Sequence, residues 1–390
     1  MDYVFSNRIA SLQPSIIREI LKASSGQNVI PFSAGNPAAE TFPVEVISSF
    51  TQEILTQNPV AALQYGVTEG YGPLRETLKG QLQERFDMGL SEDELFIVSG
   101  AQQGIELACK VLCNEGDAII CESPSFIGSL NSFRASGARL VGVPMESDGI
   151  HIEKLEQALK TEKNVKLIYL IPSFQNPTGI TTSLEKRKAI YALAKKYGVM
   201  ILEDNPYGEL RFKGTDVPTI KSMDDEGLVI YVGSFSKVLS PGLRVGFVLA
   251  PEEVMQKMVV AKQGEDVHTA MLPQILAHKF MTEYDYQGHI ESIRDIYRRK
   301  CSLMTEHLEK LMGDSITYIN PDGGLFLWCS LPESVPMLEY CKKAAAKGVA
   351  VVPGTAFLVQ ENEPCNSFRI NFSTPSDEQI MKGIEILSTV

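Results

Sequence analysis

Basic residues are outnumbered in this chain, 36 Lys and Arg against 48 Asp and Glu, and they never gather into the dense run that tracks a phosphate backbone. A nucleic-acid partner is therefore not expected. Long apolar runs are missing as well. None approaches the ~20 residues that span a bilayer, and among the first residues Asp2, Arg8, Arg18 and Glu19 break up any signal-peptide core. The expectation is a soluble, cytoplasmic protein without a membrane partner. The seven cysteines are scattered, odd in number and without C-x-x-C pairs. Neither a disulfide framework nor a metal site is indicated, and a reducing compartment suits them. The chain also lacks internal repeats and low-complexity linkers.

What it has is length and periodicity. With 390 residues, 44% of them hydrophobic, it can bury a large core and form two domains or so. Apolar strand candidates at 95–98, 118–121, 140–143, 167–171, 199–202, 228–232 and 245–249 mostly alternate with helical stretches such as 102–113 and 184–197. That alternation predicts an α/β fold whose large domain holds a mostly parallel seven-stranded sheet flanked by helices. Beyond about Ala277 come long polar helices, 284–311 and 337–347, with short strands 324–329 and 367–372, which read as a smaller α+β domain. An amphipathic helix is expected over 11–25, capped by Ser15 and stopped by Gly26. A glycine-rich loop, 63–75, leads into a helix from Pro73 toward Phe86.

Sheets of this kind bind ligands beyond the carboxyl ends of their strands, and the residues there are unusually chemical. After 95–98 comes Ser99-Gly100-Ala101-Gln102, small residues opening a helix whose free amides form an anion site. After 167–171 comes Asn176-Pro177-Thr178-Gly179, and after 199–202 come Asp204 and Tyr207. After 228–232 the chain reads Gly233-Ser234-Phe235-Ser236-Lys237, with Arg244 shortly beyond. Hydroxyls and a guanidinium beside a lysine suit a phosphate and suggest an aldehyde cofactor. Pyridoxal phosphate is the common one, and it needs a lysine amine of lowered pKa and an acid for its ring nitrogen. Each residue also has a plain reading: a loop lysine, a helix cap at Asp204, a simple turn at Asn176. Their order and spacing outweigh those readings.

In this order and spacing the chain resembles the fold type I pyridoxal-phosphate aminotransferases, the aspartate aminotransferase-like superfamily of classes I and II. Within it the likeness is to the aminoadipate and kynurenine aminotransferases and to the aminotransferase-like domain of MocR-type regulators. It extends from Gly35 to Arg369 and includes Gly323-Gly324-Leu325-Phe326 and the stretch 352–357. The resemblance implies that Lys237 carries pyridoxal 5'-phosphate and afterwards moves the substrate proton. It puts Asp204 on the pyridinium nitrogen, Asn176 and Tyr207 on the ring 3-oxygen, and Phe126 on the ring face, where many relatives have tyrosine. The phosphate would meet the amides of Ala101 and Gln102 together with Ser234, Ser236 and Arg244; Ala101 replaces a common serine. Arg369 would grip the substrate α-carboxylate through a bidentate pair, helped by Gly35 and Asn176. Tyr65 would reach the cofactor phosphate of the neighbouring subunit, implying a homodimer with shared sites. The expected division is 1–45 for an N-terminal arm and part of the small domain, 46–277 for the large cofactor-binding domain and 278–390 for the small C-terminal domain.

The implied activity is transamination of an L-amino acid with a 2-oxo acid such as 2-oxoglutarate in a ping-pong cycle. Elimination, as in a C–S lyase, starts from the same bound state and differs in which bond stands perpendicular to the ring. A cofactor-sensing regulator is the rival class, disfavoured because MocR-type regulators carry a DNA-binding domain where only about 30 residues precede Gly35 here. The stretch 263–274 corresponds to the one from which aspartate aminotransferases supply a second arginine for a distal carboxylate, and it contains none. The resemblance offers Arg18 instead, on an N-terminal helix lying over the substrate, against the alternative of a solvated helix residue. Donors would then be broad, spanning aminoadipate, aromatic and apolar amino acids.

Overall fold

Polar chemistry starts in this protein where its apolar strands stop. The computed structural model describes residues 3–10, 29–360 and 363–390; the helix expected over 11–25, with Arg18, lies outside the described residues. The main strands are β1 (Asp93–Val98), β2 (Ala118–Ser123), β3 (Arg139–Glu146), β4 (Gly149–Ile150), β5 (Val165–Leu170), β6 (Met200–Asp204), β7 (Val229–Ser234) and β8 (Gly246–Pro251). They lie in the order β1-β8-β7-β6-β5-β2-β3-β4. β2, β3, β5, β6 and β7 run parallel, whereas β8 is antiparallel to both β1 and β7. All seven expected strands are present. The eighth, β4, has two residues paired with the end of β3, too few to show any periodicity.

Central strands read as unbroken apolar runs because both sheet faces are covered and successive side chains point to opposite faces. Ile119, Leu167, Tyr169, Leu202 and Ile230 enter a core shared with Ile105 and Ala108 of helix Ala101–Leu112. Their neighbours Ile120, Ile168, Ile201 and Val229 enter a second core with Leu155, Ile190 and Tyr191 of helices Ile152–Thr161 and Leu184–Tyr197. Each fully buried aliphatic side chain contributes ~1.5–3 kcal/mol, so a one-residue slip of register would forfeit many such terms at once.

Helix ends follow local chemistry. Leu184–Tyr197 starts where Ser183 accepts the Lys186 amide and stops at Gly198, whose φ is 62°. Asp377–Leu387 opens on a capping box between Ser376 and Gln379. The long helix expected over 284–311 occupies Tyr286–Met312, because the Asp285 side chain caps the Gly288 amide; a separate helix, Met271–Glu283, precedes it. The helix expected over 337–347 ends at Ala346.

A second, antiparallel sheet holds β9 (Thr317–Tyr318), β10 (Phe326–Ser330), β11 (Val352–Pro353) and β12 (Ser367–Asn371), ordered β11-β12-β10-β9. Its two-residue strands were not expected. Residues near the amino terminus join it: Asn371 N donates to Phe32 O at 2.9 Å. This brings Ala34 and Gly35 beside β12 and turns both toward the ends of β5, β6 and β7. All seven cysteines are free, and among the described residues no helix is long and apolar enough to cross a membrane.

Candidate active site

A cavity of about 580 Å³ opens where the carboxyl ends of the parallel strands meet the second sheet. Gly35, Ala101, Gln102, Phe126, Asn176, Asp204, Tyr207, Ser234, Ser236, Lys237, Arg244 and Arg369 all line it, so twelve positions spread over most of the chain converge. Tyr65 does not; it stands on the surface, 81% exposed, edge-on to His268 at 5.8 Å.

Lys237 sits in the loop joining β7 to β8, tied at its base by the Phe235 N–H to Val245 O bond of 3.0 Å. Its Nζ donates to Gly35 O at 2.8 Å. Burial, with the charges of Arg369 and Arg244 behind it, lowers this amine to about 8. Asp204 closes β6. Its Oδ2 accepts the Tyr169 hydroxyl at 2.8 Å, and that hydroxyl lies 2.8 Å from Ser129 Oγ, which therefore donates. Oδ1 is buried with no hydrogen-bond partner, and burial pushes the carboxyl up to about 7.

Arg369, on β12, is only 4% exposed. Its Nη1 donates to Asn176 Oδ1 and its Nη2 to Ser33 O, both at 2.8 Å; Nε has no partner. The guanidinium lies 4.3 Å from the Phe326 ring centroid and 5.0 Å from that of Phe357, and burial brings it down to about 10. Asn176 Nδ2 donates in turn to the Tyr207 hydroxyl at 3.5 Å, a phenol that burial pushes up.

At the other end, helix Ala101–Leu112 begins with no side-chain cap, which leaves the Ala101 and Gln102 amides for an anion. The Gln102 side chain is turned away, donating to Ser132 Oγ at 2.8 Å. Gly100, at φ 83°, is required twice: a side chain there would be strained and would collide with the Arg244 guanidinium. Arg244 Nη2 donates to Ser99 O at 3.2 Å, while Ser234 and Ser236 hydroxyls bond each other at 2.9 Å beside it.

Among the described residues, no acidic side chain pairs with Lys237, Arg244 or Arg369. Unpaired cations, free helix amides and one bare carboxylate oxygen around a lysine fit a phosphorylated pyridine aldehyde: amides and Arg244 for the phosphate, Oδ1 of Asp204 for a protonated ring nitrogen, Lys237 for the aldehyde.

The chain belongs to the family described as Aminotransferase class I and II, which matches residues 27–387. It is similar to aromatic-amino-acid aminotransferase 1 of Thermococcus litoralis, 39% identical over 394 residues and covering 100% of this chain and 94% of that protein. The 2-aminoadipate transaminase of Thermus thermophilus is 37% identical over 386 residues, covering 98% of this chain and 95% of that one. Among solved structures, a Pyrococcus horikoshii kynurenine aminotransferase in complex with PMP superposes with a TM-score of 0.95 at 36% identity, over 99% of this chain and 96% of the other. The protein is a transaminase of the aspartate aminotransferase-like fold, and its cofactor is pyridoxal 5'-phosphate.

Several residues of the site had escaped the sequence reading. Tyr169 looked like one more member of an apolar run, and the signal it carried was chemical: a tyrosine inside a buried strand needs a partner for its hydroxyl. Pro206 lines the cavity and Ser129 supports it through Tyr169 with no local pattern to mark either, while Phe326 and Phe357 close the two small-domain stretches noted above and flank Arg369.

Proposed function

We propose that the cavity moves the amino group of a broad range of L-amino acids, acidic, aromatic and apolar, onto a 2-oxo acid such as 2-oxoglutarate in a ping-pong cycle. The observation that carries this reading is the trio of cations without acidic partners around one bare Asp204 oxygen. Pyridoxal phosphate supplies the aldehyde that takes up the amino group and a ring that draws electron density from the substrate α-carbon. Lys237 removes the α-proton and returns it; an amine lowered to about 8 is free often enough near neutral pH to act as a base. Asp204, held by Tyr169, would keep the ring nitrogen protonated through Oδ1. Asn176 and Tyr207 would orient the 3-oxygen, Phe126 would cover the ring, and Ala101, Gln102, Ser234, Ser236 and Arg244 would hold the phosphate. Arg369 binds the α-carboxylate beside Gly35, while Phe326 and Phe357 keep water from that pair.

The broad donor range is supported by relatives named for aromatic amino acids and for 2-aminoadipate, together with the arginine-free stretch 263–274. Arg18 would meet acidic side chains. The working unit is a homodimer in which Tyr65 serves the partner's site. Exposed Val60, Leu63 and Val67 beside Tyr65 support such an interface. Segments 1–45 and 278–390 would act as arm and small domain over the large domain 46–277, and free cysteines suit the cytoplasm.

Aminoadipate, phenylalanine and leucine, each supplied with 2-oxoglutarate, should yield the matching oxo acids and glutamate. Lys237→Ala should abolish this turnover together with the cofactor fixed to protein by borohydride. Label persisting in the variant, or products other than the matching oxo acids, would overturn the assignment.

A further inference from the structure

The last residue but one of β2 is an acid that, among the described residues, no cation hydrogen-bonds. Glu122 is 0% exposed. Its Oε2 accepts the Ile171 backbone N–H at 3.0 Å and Gln175 Nε2 at 3.3 Å, while Oε1 is buried without a partner. Glu203, at the matching place one residue before the end of β6, differs: its two oxygens accept the Ile220 and Lys221 amides, which makes it a strap for that loop. Glu122 braces the turn that follows β5 instead. Burial pushes it up to about 7, Asp204 adding to the rise and Arg187 opposing it.

Gln175, also fully buried, is satisfied at both ends. Nε2 donates to Glu122 and, at 2.8 Å, to Pro124 O. Oε1 accepts the Thr178 amide at 2.9 Å and the Thr178 hydroxyl at 2.7 Å. Turned over, the amide would set oxygen against oxygen at Glu122 and N–H against N–H at Thr178, with no water to relieve either. The acid, Pro124 O and Thr178 together fix which way Gln175 faces, and Gln175 closes the turn to Ile180 through its own backbone. The next residue in that turn is Asn176.

We propose that Glu122 is a positioning residue for amino transfer: by orienting the Gln175 amide it holds the turn 175–180 so that Asn176 offers Oδ1 to Arg369 and Nδ2 to Tyr207. The proposal rests on the reading that these three residues bind cofactor and substrate. It requires an acceptor at position 122 rather than a charge.

Glu122→Gln keeps the acceptor and Glu122→Ala removes it, so the two holoenzymes are compared with wild type and with Asn176→Ala. One readout is the pH midpoint of the visible cofactor band; the other is KM and kcat for one amino donor. Glu122→Ala should shift the midpoint in the same direction as Asn176→Ala, by about 0.5 pH unit or more, and raise KM roughly fivefold or more. Glu122→Gln should stay within about 0.2 unit and roughly twofold of wild type. A Glu122→Ala enzyme with unmoved midpoint and KM beside a displaced Asn176→Ala overturns the proposal alone. Equal damage from Gln and Ala overturns it too, since charge would then be the active property. If Asn176→Ala moves neither readout, the reading of the site fails and takes the proposal with it. Should Glu122→Ala not fold, Gln175→Leu removes the amide through which Glu122 acts, and an unmoved midpoint there overturns the proposal.

Discussion

Arg369 Nη1 donates to Asn176 Oδ1 at 2.8 Å across 193 positions of sequence, and this bond joins the small antiparallel sheet to the turn that follows β5. One guanidinium therefore assembles the site and, in the proposed function, would present its remaining donors to substrate. Lysine has the charge without the planar fork. Arg369→Lys should lower kcat/KM by roughly 10²- to 10³-fold, about 3–4 kcal/mol, for every donor alike, because each carries the same α-carboxylate. Steady-state kinetics with three donors, beside a thermal melt, checks it. A loss confined to one donor class would move Arg369 from the α-carboxylate to the side chain.

Asp204 makes the cofactor-free protein sensitive to pH. Its carboxyl is raised from 3.8 to about 7 on folding. Between those values the folded chain therefore holds a proton that the unfolded chain has released. The sign follows: the stability from this group is present below the unfolded value and is lost as pH rises through about 7. Asp204→Asn removes the bare charge at constant shape. Without cofactor, the variant should be more stable than wild type at pH 8 by on the order of 1–3 kcal/mol, yet lose roughly 10²-fold or more in activity. Melting temperatures with and without pyridoxal phosphate decide it; equal apo stabilities would mean Oδ1 is solvated.

Tyr65 offers a test of the shared site. The protein should sediment at about twice its 43.0 kDa chain mass. Inactive Tyr65→Ala and inactive Lys237→Ala chains, mixed and allowed to exchange, should recover roughly a quarter of wild-type activity, because half the dimers are hybrids and each has one intact site. No recovery after verified exchange would confine Tyr65 to its own subunit.

The proposed role of Arg18 is tested by comparing donors. Arg18→Ala should lower kcat/KM for aminoadipate by ~1–3 kcal/mol and spare leucine and phenylalanine. Losses of equal size for all three would make the residue a general structural one.

The difference between what was legible in sequence and what was not has a physical origin. Lys237, Asp204 and Asn176 follow apolar runs at the ends where a parallel sheet exposes ligands, so periodicity alone placed them. Arg369 was found through the resemblance, since its strand is five residues long and antiparallel. Tyr169, Ser129, Glu122 and Gln175 were missed because the partners that tie them to one another and to the site are 35 to 53 residues away, and such hydrogen bonds leave no local pattern. Glu122 did carry a cue, an acid ending a run of four apolar residues at 118–121. The two-residue strands β4, β9 and β11 are shorter than any period that could reveal them.

The hairpin that carries Lys237 has one more consequence. Gly233 and Ser234 on one arm pair with Phe247 and Gly246 on the other, and the Phe235–Val245 bond closes its base. With the backbone pinned on both sides, the amine ranges no farther than its four-carbon stem. A base tethered in this way acts at an effective molarity that well-oriented intramolecular reactions place on the order of 10⁵ M or above. A freely diffusing amine added to the Lys237→Ala enzyme, limited to ordinary solubility, would restore the proton transfer but not its rate.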